Sequence, residues 1–449
     1  MDRDDLSARR GAALSAARAI SVPASRAARL TQLGSMTASV AGLMALNGVA
    51  QLGKGQRPAL RDLLLTPRNL HKITDQLAKM RGAAMKVGQL ISMDTGEMLP
   101  PELAEIMARL RADAHFMPPA QLKQVLNAEW PKGWLGQFAK FDVRPIAAAS
   151  IGQVHRARLK DGRDVAIKVQ YPGIAQSIDS DVANVGTLIR MSGLLPKGFD
   201  LAPYMAEARQ QLHEETDYEL EGSHLTRFDA LLRDDPRFRL PALIAEWTTP
   251  QVMVMGFINS VPIEDAVDLP QGHRDRIARD LIDLMLQELF IFGWMQTDPN
   301  FANYRYDPAT DKIVLLDFGA TRQISPAIAK QYRRLIAAGI ADDADALHAT
   351  AMEIGFFTAE TDPTHSAQIV HMMRHVFRAL LENPLYDFAD TTLSQQMQAE
   401  GMALADAGFI PPPLPIDILF LQRKFGGMFL LANRLRAKVP VADMLRNLS

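Results

Sequence analysis

The chain has no cysteine in 449 residues. That absence excludes disulfides, thiolate metal centres and cysteine nucleophiles at once, and it fits a reducing compartment. Long apolar runs are missing as well. The window Leu33 to Leu52 carries no charge but is diluted by Gly, Ser, Thr, Asn and Gln, and the window Leu414 to Leu431 is interrupted by Arg423 and Lys424. Neither reads as a membrane span. Internal repeats and nucleic-acid-binding module patterns are absent, so no nucleic acid is expected as a partner. The chain opens Asp2-Arg3-Asp4-Asp5, which suits neither a secretory signal nor a transit peptide.

What is present is an ordinary soluble composition, 48% hydrophobic and 22% charged. The length exceeds what one core usually serves, so two or three units are expected. The net charge of −2 hides an asymmetry, because residues 1–90 hold 14 Lys and Arg against 5 Asp and Glu. An anionic membrane surface, nucleic acid or a solvated helical face would each account for that front. Four segments follow from the patterns: a basic, flexible, membrane-associating segment over 1–58, a helical extension over 59–135, a β-rich lobe with a helical insertion over 136–258, and a helical lobe over 259–449. The strongest strand patterns are Val165-Ala-Ile-Lys-Val169, Val252-Met-Val-Met255 and Ile313-Val-Leu-Leu316. Apolar residues at 277, 281, 284, 285 and 289 predict an amphipathic helix over 274–292. Everything after Ser325 reads as helix.

Chemistry concentrates near residue 300. Asp298-Pro-Asn-Phe-Ala-Asn303 is followed, one short hairpin later, by Asp317-Phe-Gly319. An aspartate, an asparagine five residues on and then Asp-Phe-Gly is how kinase-type folds build a nucleotide–magnesium site. Asp298 can orient or deprotonate a nucleophile, while Asn303 and Asp317 offer hard oxygens to Mg²⁺. Upstream, Ala147-Ala148-Ala149-Ser150-Ile-Gly152-Gln-Val154 fits a glycine-rich phosphate loop with alanine in the first two glycine positions. An alanine-rich turn packed in a core fits the same residues. Lys168 closes a buried strand pattern and needs an anion, because an unpaired buried charge is costly. A lysine snorkelling from an edge strand is the alternative. Its carboxylate partner is expected from Glu215-Thr-Asp217-Tyr-Glu-Leu-Glu221, where Asp217 and Glu221 stand four apart. Sequence alone does not choose among these acids.

The chain resembles the AarF/UbiB atypical kinase-like family, on Lys86-Val-Gly-Gln89, the alanine-rich loop, Glu215-Thr-Asp217-Tyr, and Gln296-Thr-Asp298 with Asp317-Phe-Gly. The resemblance spans about residues 22 to 435. The Gln-Thr-Asp form is similar to the branch that contains the mitochondrial members. It implies an α+β, protein-kinase-like two-lobe fold with an N-terminal helical extension, and ATP and Mg²⁺ as cofactors. It also implies that Lys168 pairs with Glu221, that Asn303 and Asp317 bind the metal, and that Asp298 is catalytic. Lys86 and Gln89 are then expected on a helix that folds over the site, with Glu215 and Asp217 meeting that helix.

Three functions follow as expectations. The first is a Mg-ATP-dependent atypical kinase or ATPase supporting ubiquinone biosynthesis at a membrane surface. Its partners would be anionic lipids, quinone precursors or other quinone-biosynthesis enzymes. The second is a nucleotide-gated lipid-binding chaperone or scaffold of the same pathway. The third is a protein kinase, which the short run from Gly319 into helix and the missing Ala-Pro-Glu speak against. The expected place is the cytoplasm, peripherally on the inner membrane of a bacterium, or the mitochondrial matrix in a eukaryote. His371 and His375 share a helix face without the further ligands of a zinc site, and Met80, Met85, Met93 and Met98 read as packing rather than as a cofactor box.

Overall fold

The computed structural model describes residues 77, 80–95, 116–192 and 200–448. The basic segment 1–58, the window Leu33 to Leu52, Met93 and Met98 as side chains, and much of the extension lie outside the described residues. The rest divides into two compact units: residues up to Thr226 together with Ala242–Phe257, and Arg227–Pro241 together with the residues from Ile258 on.

The first unit is built on an antiparallel sheet. Its strands β1 (Phe138–Phe141), β3 (Gly152–Leu159), β4 (Asp164–Gln170) and β6 (Val252–Gly256) lie in that order, with β2 (Ala147–Ala148) added to β3. Strand β4 is buried at Val165, Ile167 and Val169, and β6 at Val252 and Val254. Every residue of β4 from Val165 to Gln170 is buried, so both faces of the strand are covered, which explains its nearly unbroken apolar run. One face is closed by helix α2 (Pro119–Glu129) and an aromatic cluster of Trp130, Trp134, Phe138 and Trp247. The buried indoles keep partners, since Trp130 donates to the Trp247 carbonyl and Trp134 to Asn127, each at 2.9 Å. Helices α1 (Arg81–Thr95), α3 (Ile174–Ser192) and α4 (Ala202–Glu215) pack on one another, and α5 (Tyr218–Leu231) follows.

The second unit holds a four-stranded sheet in the order β5 (Phe238–Arg239), β10 (Lys312–Leu315), β9 (Tyr304–Asp307), β7 (Val261–Pro262), and a two-stranded ribbon of β8 (Trp294–Gln296) with β11 (Thr321–Gln323). Helix α6 (Gln271–Gln287) runs into a π-helical turn, Glu288–Phe292, and ends at Gly293, whose φ of 65° is the left-handed conformation glycine takes without strain. Beyond it are α7 (Pro326–Ile340), α8 (Ala344–Ile354), α9 (Pro363–Glu382), α10 (Thr392–Asp406), α11 (Ile416–Arg434) and α12 (Val441–Arg446). This region is not wholly helical, since β12 (Tyr386–Asp387) pairs with β13 (Lys438–Val439). Two-residue strands more than 50 positions apart leave no local pattern to read. Among the described residues no helix is long and apolar enough to cross a membrane. The apolar stretch Leu414 to Leu431 forms most of α11, a helix that buries Ile418, Leu419, Phe420, Leu421 and Leu431.

Candidate active site

In the first unit, Ala147 and Ala148 form β2 and pair with Val154 and Gln153 of β3, so the alanine-rich segment is a tight hairpin with Ala149, Ser150 and Ile151 at its tip. Gly152 is required by packing. A Cβ there would lie 2.5 Å from the Val169 carbonyl oxygen and 2.9 Å from the Tyr218 hydroxyl. Lys168 is buried on β4, and its ammonium lies 2.8 Å from both carboxylate oxygens of Glu221 on α5. The ring of Tyr218 sits 5.1 Å from the same ammonium. Glu221 is 2% exposed, so burial singles it out from the acidic cluster.

Lys86, buried on α1, forms an ion pair with Glu215 at the end of α4. Glu215 also accepts from the Ser150 hydroxyl at 3.5 Å, which ties the extension helix to the alanine-rich hairpin. Gly82 permits the approach, because a Cβ there would stand 3.1 Å from Ile151 and 3.6 Å from the Ser150 carbonyl. Gln89 is half-buried on the same helix. Asp217 departs from expectation. It is exposed, and its carboxylate accepts from the Leu220 N–H at 3.0 Å, capping α5 rather than meeting the Lys86 helix. The four-residue spacing placed Asp217 and Glu221 on one face, but a residue at the cap has not yet entered the helix.

In the second unit, the β9–β10 hairpin decides the geometry. Tyr304 pairs with Leu315, so Asn303 and Asp317 flank the open end of that hairpin and line one cavity. The Leu316 N–H donates to the Asn303 carbonyl at 3.1 Å, fixing the two segments together. The Asn303 amide donates to the Asp298 carboxylate at 3.1 Å and to its carbonyl at 3.2 Å. Asp317 accepts from the Gly319 N–H at 3.0 Å, and Phe318 packs on Phe228 with ring centroids 4.9 Å apart. After Gly319 the chain returns directly: Thr321 pairs with Gln296, Thr297 donates to the Ala320 carbonyl, and Ser325 caps α7. An amide and a carboxylate oxygen side by side are a donor set that suits Mg²⁺ completed by phosphate and water oxygens. Among the described residues no three His, Cys, Asp or Glu converge as a metal site by themselves, and His375 faces Glu400 instead.

The model of the ABC1 atypical kinase-like domain matches residues 109–351. Atypical kinase COQ8, mitochondrial, of Saccharomyces cerevisiae is 37% identical over 431 residues, which cover 95% of this chain and 85% of that protein. The chain belongs to the ABC1 atypical kinase-like family. Atypical kinase COQ8B, mitochondrial, of Rattus norvegicus is 35% identical over 434 residues, 95% of this chain and 81% of its own. The structure of Rv3197 with erythromycin from Mycobacterium tuberculosis aligns with a TM-score of 0.60 at 24% identity, over 83% of this chain and 93% of that one, and supports the fold. This ABC1 atypical kinase therefore has the α+β kinase-like fold, and its class is that of an ATP-using phosphoryl-transfer enzyme.

Two charged residues of the ABC1 kinase escaped the sequence reading. Arg423 and Lys424, which there only interrupted an apolar window, contact the loop that carries Asp298. Arg423 donates to the Asp298 carboxylate at 2.7 Å. Lys424 is buried, donating to the Gln296 carbonyl at 2.7 Å and the Tyr304 hydroxyl at 2.8 Å, with Glu288 at 3.2 Å. Burial pushes the Glu288 carboxyl up, against the pull of Lys424. Burial likewise opposes charge on Lys424, yet Glu288 and Tyr304 outweigh it and raise the ammonium above its ordinary value. The Lys424 nitrogen faces three oxygens at once, the Gln296 carbonyl, the Tyr304 hydroxyl and the Glu288 carboxylate, which suits the three donors of an ammonium, so we assign a charged pair. The one signal in the sequence was a Lys in the middle of a buried apolar helix face.

Proposed function

We propose that this chain is a Mg-ATP-dependent atypical kinase or ATPase that supports ubiquinone biosynthesis, acting at a membrane surface. The observation that carries the reading is the buried Lys168–Glu221 pair, with 2.8 Å to both carboxylate oxygens. A buried lysine held this way is a fixed positive charge suited to phosphate, and its glutamate keeps it protonated and aimed. Asn303 and Asp317 would hold Mg²⁺, which when bound supplies charge neutralisation for the phosphates. Asp298, gripped by Arg423 and Asn303, orients the attacking oxygen and takes its proton. The short return from Gly319 into β11 and α7 leaves no length for a peptide-binding segment, which favours water or a small molecule as acceptor. The assignment to the quinone pathway rests on the kinship with the COQ8 kinases, and the basic front of the chain supports attachment to anionic lipid or to other quinone-biosynthesis enzymes. The expected place is the inner membrane's cytoplasmic face in a bacterium, or the mitochondrial matrix in a eukaryote.

Quinone profiling of a strain lacking the gene, complemented with wild type or Asp317→Asn, tests the reading. Wild type is expected to restore ubiquinone and Asp317→Asn to leave an early precursor. ATP turnover unaffected by Asp317→Asn would sink the catalytic role. The link from Lys86 through Glu215 to Ser150 favours a second reading, a nucleotide-gated chaperone or scaffold. Rescue of quinone synthesis by Asp298→Ala would select it.

A further inference from the structure

Helix α11 meets the Gln296–Tyr304 loop at three positions, Arg423, Lys424 and Gly427. Arg423 reaches Asp298. Lys424 reaches Gln296 at the start of the loop and Tyr304 at its end. Gly427, one turn on, has no room for a side chain, because a Cβ there would run into the Pro299 ring. Between them these contacts touch the loop at its first residue, at Asp298-Pro299 and at its last. The loop contains Asp298 and Asn303, and between its ends, which are the last residue of β8 and the first of β9, its regular structure is a single 3₁₀ turn, Phe301–Asn303. It therefore takes its shape from what it rests on.

We infer that Lys424, paired with Glu288 and backed by the bare surface of Gly427, is the positioning residue that sets the Gln296–Tyr304 loop for metal binding and phosphoryl transfer. The charge is needed because the three donors of an ammonium can satisfy two separated ends of the loop and still face the Glu288 carboxylate at 3.2 Å. An apolar side chain of the same length, such as methionine, would bring neither acceptor a proton. Glu288 is needed because Lys424 is 1% exposed, and an ammonium so buried requires a counter-charge. Gln296 belongs to the same device. Its side-chain oxygen lies 3.3 Å from the Tyr304 hydroxyl and 3.4 Å from the Lys424 ammonium, and an amide oxygen has two lone pairs for these two donors.

This inference rests on the proposed Mg-ATP reading for its catalytic part, so the test separates the two. Three variants of the full chain are compared with wild type: Lys424→Met, Lys424→Met with Glu288→Gln, and Gly427→Ala. Breaking the pair in the single variant leaves a buried carboxylate and lowers the unfolding midpoint, while the double variant recovers it. Hydrogen–deuterium exchange of peptides covering 296–304 is then read against β10, with Mn²⁺ affinity measured by electron paramagnetic resonance in the presence of ADP. The double variant and Gly427→Ala are expected to exchange the loop about tenfold faster with β10 unchanged. Both should bind Mn²⁺ about tenfold more weakly and lose turnover by a similar factor or more. A double variant that regains wild-type loop exchange and Mn²⁺ affinity together with its stability would make the pair merely structural and overturn the inference. If wild type itself turns over no ATP, the Mg-ATP reading falls, and the loop exchange still decides whether Lys424 positions the loop.

Discussion

Replacing Gly152 by alanine puts a methyl group where the first unit has no space for one. The added Cβ would stand 2.5 Å from the Val169 carbonyl oxygen, 3.1 Å from its carbon and 2.9 Å from the Tyr218 hydroxyl. Relief to about 3 Å requires a retreat of about half an ångström by the backbone of β4, which has paired strands on both sides and no rotamer to change. Overpacking of this kind costs about 1–3 kcal/mol, while alanine in place of glycine returns about 0.5–1 kcal/mol of chain entropy. A net loss is expected. Three of the four tryptophans, Trp130, Trp134 and Trp247, lie in this unit, so urea unfolding followed by indole emission without nucleotide reports it. Gly136→Ala, with nothing within 4 Å of its added Cβ, is the control and should stay within about 0.5 kcal/mol of wild type. Equal midpoints for the two variants would refute the packing argument. Gly152 would then serve only the approach of a phosphate.

Lys86→Ala removes the ion pair with Glu215 and is expected to change nucleotide affinity or ATPase rate by about fivefold or more, the scale of a coupling energy between linked elements; wild-type values for both would end the idea that the extension helix is coupled to the site. His155 predicts a pH dependence. Gln153 accepts from the Met117 N–H and donates to His155 Nε2, so the ring is neutral and donates through Nδ1 to the Asp142 carbonyl. Burial lowers its pKa below 6.5, with Asp142 opposing. The unfolded chain therefore binds the extra proton first, and stability should decline as pH falls from 6.5 toward the folded value. Urea midpoints across that interval should converge for wild type and His155→Gln if the reasoning is right; parallel lines would contradict it. Gly401→Ala, mid-helix in α10 with open space at its Cβ, should stabilise by about 0.5–1 kcal/mol in the same assay.

The local parts of this protein are written in its sequence. Asn303 and Asp317 flank a hairpin whose two strands are adjacent in the chain, so motif spacing and geometry express one constraint. The buried strand around Lys168 is legible because β4 is covered on both faces and is apolar from Val165 to Val169 apart from Lys168 itself. The alternatives left open at Glu215, Asp217 and Glu221 were closed only by the structure, since α5 begins at Tyr218 and turns Glu221 inward while Asp217 caps it. The amino-acid sequence by itself determined the kinase-like class and the residue types of the site, because those depend on short-range spacing and on side-chain chemistry. Tertiary structure alone decided that Lys424 and Gly427 would support a loop more than 120 positions upstream. A helix periodicity shows which face is buried but not what lies against it, so a lysine that looked like an interruption became intelligible only with its acceptors in place.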